Sequence, residues 1–110
     1  MTKVVYNNCY GGFGLSAAAY ALYCEKKGIE PDQEDVYCGT WRPDCCDPPV
    51  PRHDPTLVSV VEELGERANG THARLSLAEG EGPYRIDEYD GSETVIWRDS
   101  DPFSWIDPDA

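Results

Sequence analysis

At 110 residues, 40% of them apolar, the chain is the size of one domain with a thin core, and no apolar run reaches the length of a membrane span. Acids outnumber bases 21 to 9, a net charge of −12, and residues 79–110 alone hold ten acids and two arginines, a net of −8. A surface of that sign repels phosphate backbones and attracts basic partners, which excludes direct nucleic-acid binding as the expected function.

Residues 3–6 (KVVY) read as a short apolar strand that breaks at Asn7-Asn8 and enters the glycine loop Cys9-Tyr10-Gly11-Gly12-Phe13-Gly14. Ser16 is a natural N-cap for a helix over 16–27. Leu15, Ala18, Ala19 and Leu22 supply its apolar stripe, Tyr20 and Tyr23 flank it, and Lys26-Lys27-Gly28 ends it. Residues 29–52 carry five prolines and three cysteines with no sustained period, so they read as a long irregular insertion with a short extended piece near 36–38.

Asp54-Pro55 opens a second helix, whose stripe Leu57, Val60, Val61, Leu64 and Ala68 runs to Asn69-Gly70. Gly65 within it implies a close approach of another backbone. Residues 73–77 alternate as a half-buried strand. After a turn at 80–83, residues 84–89 and 92–97 flank Asp90-Gly91, a strong hairpin signal. A two-residue loop pairs Tyr84 with Trp97 and Ile86 with Val95 on one face, and Arg85 with Ile96 and Asp87 with Thr94 on the other. The same register opposes Glu88 to Glu93, a like-charge pair that costs stability. The expectation is therefore a longer loop; the alternative is that these carboxylates face a cation. Residues 99–110 read as an acidic Asp/Pro tail docked through Phe103, Trp105 and Ile106.

The expected architecture is a single α+β domain over 1–98. It has a small antiparallel sheet, made of a C-terminal three-strand meander plus the N-terminal strand, with both helices on one face. The segments VVYNNCYGGFGLS (4–16), VPRHDPTLVSVVEELGERANG (50–70) and YRIDEYDGSE (84–93) resemble a family of small uncharacterised proteins of bacteriophages and prophages. The resemblance covers roughly 3–28 and 50–95; the cysteine-bearing middle and the acidic tail depart from it. It implies a phage setting and no particular chemistry, and such a setting favours small inhibitors that occlude a host protein, as in evasion of host defence.

The first expectation for function is thus an acidic interaction protein of the host cytoplasm. Asp87, Glu88, Asp90, Glu93, Asp99 and Asp101 would face a basic partner such as a defence (anti-CRISPR-like target) or nucleic-acid-binding complex. A second is a nucleotide-type ligand site at the glycine loop, using Asn8, Tyr10, Gly11, Gly12 and Arg52. The loop lacks the lysine of a phosphate-binding P-loop and the GxGxxG spacing, and its glycines equally suit a sharp turn that packs Tyr10 and Phe13. A third is a zinc-held loop with Cys38, Cys45, Cys46 and His53 as ligands, though C-x6-C-C-x6-H is not a common zinc spacing. Five cysteines with no export signal are otherwise expected to be reduced and partly buried, and no cofactor is required. Cys9 has no base placed near it by local sequence, so an enzyme is not expected.

Overall fold

The computed structural model describes residues 2–32, 36–37, 39–43, 49–97 and 106. In chain order the elements are β1 (Thr2–Asn7), β2 (Leu15–Ser16), α1 (Ala17–Lys27), β3 (Val36–Tyr37), β4 (Thr40–Trp41), α2 (Pro55–Leu64), β5 (Leu75–Gly80), β6 (Tyr84–Tyr89) and β7 (Ser92–Trp97). A 3-10 turn at Gly65–Ala68 follows α2. The fold is α+β with antiparallel pairing throughout.

The helix ends follow their caps. Ser16 Oγ accepts from Ala19 N at 3.1 Å and itself donates to Arg67 O at 2.6 Å, so one hydroxyl starts α1 and ties it to the end of the second helical segment. Gly28 closes α1 in the left-handed conformation, its N–H reaching Cys24 and Glu25 carbonyls. Asp54 Oδ1 accepts from Thr56 N at 2.8 Å with Pro55 in the first turn. The second helix stops earlier than its apolar stripe suggests, because Gly65 adopts φ 56°, ψ −128°. Nothing lies within 4 Å of where its Cβ would stand, so this glycine serves backbone conformation and not a close approach.

The sheet differs from a four-stranded one. β5 pairs with β1, from Thr2 opposite Gly80 to Asn7 opposite Leu75, while β6 and β7 form a separate hairpin and β2-β4-β3 a third small sheet. No three-strand meander forms: β6 pairs with β7 and not with β5. Trp97 at the end of β7 instead packs against Gly80, where any Cβ would strike the indole ring. Of the tail, Ile106 is described: its N–H and C=O exchange hydrogen bonds with Tyr84 at 2.7 and 3.0 Å. Phe103 and Trp105 lie outside the described residues.

The main core packs α1 on α2 with Val5 of β1 and Trp41 of β4. Leu57, Val60, Val61 and Ala68 are buried, as their spacing implies. On α1 the buried set is Ala19, Tyr20, Tyr23 and Cys24, whereas Ala18 is exposed and Leu22 half-buried. The helix is rotated toward its tyrosines because both rings clasp Trp41, with centroids 5.0 and 4.9 Å away.

Gly80→Ala is expected to lower stability by roughly 1–3 kcal/mol through overpacking against Trp97. Glu81→Ala, on the exposed turn beside it, should stay within about 0.5 kcal/mol. Urea denaturation of both variants checks the contrast.

Candidate functional site

The three segments singled out by motif meet in space. β1 is paired with β5 along one edge, and its other edge must find partners elsewhere. Arg52 and Glu93 provide them. Val5 N donates to Arg52 O at 3.0 Å, Arg52 Nη1 donates to Val5 O at 3.3 Å, and Asn7 N donates to Glu93 Oε1 at 2.8 Å. The two side chains join in a bidentate ion pair, Nη1 to Oε1 at 2.7 Å and Nη2 to Oε2 at 2.8 Å, with only 9% and 7% of each residue exposed. The guanidinium also lies 3.5 Å from the Phe13 ring centroid, so the glycine loop covers it.

Asn7, fully buried, is the second joint. Its Nδ2 donates to Cys9 O at 2.9 Å and Gly91 O at 2.8 Å, and its Oδ1 accepts from Arg74 N at 2.8 Å. Every polar atom of the amide is used, joining the glycine loop, the hairpin turn and the start of β5. Glycines permit the contact: a Cβ on Gly11 would strike the His72 carbonyl, and one on Gly91 would lie 2.6 Å from Tyr10 O.

The hairpin has the two-residue turn, with Asp90 at φ 52° and Gly91 at φ 88°, and Glu88 does stand opposite Glu93. The longer loop expected from that like-charge pair is not formed. Arg52 neutralises Glu93 on the buried side, and Glu88 turns to accept from Gly91 N at 2.9 Å. The cation implied by the opposing carboxylates is internal.

The expected site residues therefore separate. Asp87, Glu88 and Asp90 are exposed, as a partner-facing set requires. Glu93 is not: it is buried and committed to Arg52. Asp99 and Asp101 lie outside the described residues. For a ligand site at the glycine loop, Arg52 is likewise sealed beneath Phe13 and bound to Glu93, and Gly11 N donates to Cys9 Sγ at 3.4 Å. Asn8 is exposed, its N–H bonded to Arg74 O at 2.7 Å. Phe13 packs, but Tyr10 does not: it is 71% exposed. An open groove of about 360 Å³ elsewhere, lined by Ala17, Tyr20, Ala21, Pro31, Asp32 and Val36, carries an aspartate and no base among the described residues, the wrong sign for a phosphate.

Cys38, Cys45 and Cys46 lie outside the described residues, and among the described residues no group of three or more His, Cys, Asp and Glu is placed to hold a metal. His53 Nδ1 is hydrogen-bonded to the Tyr84 hydroxyl at 2.7 Å, leaving Nε2 as its nitrogen for a metal. Burial pushes the Tyr84 phenol up to about 12, against the opposing pulls of Arg52 and His53. Cys9 donates to the His72 carbonyl at 3.2 Å and not to its ring. Asn7 was missed by sequence reasoning, which treated it as a strand break. No helix among the described residues is long and apolar enough to cross a membrane.

No protein-family model, curated protein or solved structure matches the chain.

Glu93→Ala or Arg52→Ala alone should each cost about 3–5 kcal/mol, because the other charge stays buried without its partner. Arg52→Met combined with Glu93→Leu should cost less than either single change; urea midpoints read both effects.

The neutral phenol of Tyr84 is the form the buried site accepts. Its contribution is complete below pH 10, the ordinary tyrosine value, and is lost as pH rises from 10 toward 12. Tyr84→Phe should flatten that alkaline loss and remove one high-pH step from an ultraviolet titration of tyrosinate.

Proposed function

We propose that the protein is a small acidic interaction protein that binds and occludes a basic surface on a protein partner. The observation that carries this reading is the fate of the hairpin's carboxylates. Glu93 is spent internally to anchor the hairpin, and Asp87, Glu88 and Asp90 stay exposed on the anchored end. A carboxylate set presented on a fixed backbone loses little freedom on binding, which favours association.

The net charge of −12 adds long-range attraction to such a partner. The likeness of three segments to phage proteins suggests the setting: a host protein, in a defence or nucleic-acid-binding complex, met inside the host cell. If that partner's basic surface normally holds nucleic acid, the carboxylates occupy the place of its phosphates.

Co-purification from host lysate, with mass spectrometry of the captured protein, tests the proposal. Capture should be strong at low salt and weaken at high salt. Asp87→Asn/Glu88→Gln/Asp90→Asn should reduce it at least about tenfold while leaving Tm nearly unchanged, since these side chains are exposed and Glu88→Gln keeps an oxygen to accept from Gly91 N. Salt-insensitive capture, or capture indifferent to the triple substitution, would overturn the electrostatic reading.

A further inference from the structure

Two aromatic side chains are left in water where the glycine loop meets the hairpin. Tyr10 is 71% and Tyr89 78% exposed, in a chain that buries Tyr20, Tyr23 and Tyr84. Scattered exposed rings are ordinary. These two belong to turns that are locked to each other. Asn7 bonds the carbonyls of Cys9 and Gly91, the residue before Tyr10 and the residue two beyond Tyr89, and Gly91 packs on the Tyr10 backbone. Two exposed tyrosines from distant parts of the sequence are thereby carried on turns whose backbones are joined.

The neighbourhood is anionic. Asp87 shares the outward face of the hairpin with Tyr89, because Asp87–Thr94 and Tyr89–Ser92 are cross-strand pairs of the same parity. Glu88 and Asp90 flank Tyr89 in the chain, and all three acids are exposed. Arg85 on the same face is four residues back, roughly 13 Å along the strand. Arg74 stands beside Asn8, across the glycine loop.

We propose that Tyr10 and Tyr89, with Asp87 and Asp90, form a docking surface for an arginine-bearing segment of a protein partner. The inference rests on the reading of the protein as a binder of basic surfaces and adds which base it takes. Charge alone would accept lysine and arginine alike. A guanidinium is planar and weakly hydrated, so it stacks on a phenol ring while its fork takes a carboxylate, and an ammonium gains mainly the charge.

The full chain would be titrated calorimetrically with oligoarginine and oligolysine peptides of equal length. Oligoarginine is expected to bind about fivefold tighter or more, each exposed ring contributing roughly two- to fivefold. Tyr10→Ala/Tyr89→Ala should bring the two affinities within about twofold by weakening oligoarginine alone. Its unchanged Tm would show that the fold is kept, and Tyr89→Ser singly, which should remove part of the preference, gives a second reading. Equal affinities, or a preference that survives both tyrosine changes, overturn the arginine inference. If the triple acid substitution then abolishes both bindings, the electrostatic reading stands without it. If neither peptide binds, both readings are overturned.

Discussion

The buried pair of Arg52 and Glu93 is the interaction on which the arrangement of this chain depends. Two charges withdrawn from water are expensive, and their attraction offsets that cost only when geometry is good and the remaining donors and acceptors are used. Here the guanidinium forks onto both carboxylate oxygens, gives a further bond to Val5 O and lies on Phe13, while the carboxylate also takes Asn7 N. A hydrophobic pair could fill the same volume, but it could not pair with the open edge of β1. The ion pair thus acts as a short third strand, and it is built from the segment before α2 and from β7.

That arrangement explains why three distant motifs hold glycines and an asparagine where they do. Backbone must approach backbone: Gly11 on His72, Gly70 on Gly14, Gly91 on Tyr10. Side chains at those places would force the turns apart and open the ion pair to water, where its directional bonds would weaken. Asn7 completes the joint because an amide supplies two donors and an acceptor from one short side chain. A glycine-rich loop after a strand is often a phosphate cradle, but here the Asn8 and Gly11 amides bond within the protein and the tight corners at Gly11 and Gly14 meet its own residues.

Much of this was legible in the residues, and the failures have physical causes. Both helix starts and the hairpin register follow from local rules: Ser16 and Asp54-Pro55 cap as such residues cap, and Asp90-Gly91 turns as that dipeptide turns. The end of the second helix moved because Gly65 takes a conformation that no periodicity records. The face of α1 moved because Trp41, from the irregular insertion, draws Tyr20 and Tyr23 inward, a tertiary effect that an apolar stripe of alanines cannot reveal. The meander failed because sheet order is a long-range choice, settled by Trp97 on Gly80 and by the pairing of β1. The clearest signal was misread. Glu88 opposite Glu93 correctly implied either a longer loop or a cation, and the cation was Arg52, placed 41 residues away in sequence.

The same like-charge pair separates structure from surface in this hairpin. Alternation puts Glu88 and Glu93 on one face, and only one of them can reach the buried arginine. Glu93 does so and fixes the strand, while Glu88, directly opposite it, bonds Gly91 N and fixes the turn. Asp87, Asp90 and Tyr89 are then held outward by a backbone that has already given up its freedom, so a partner that meets them need not order it again. An acidic hairpin without this anchor would present the same charges on a fraying ribbon, since an isolated two-stranded hairpin is marginally stable in water. The burial of one carboxylate is what makes the exposure of the others useful.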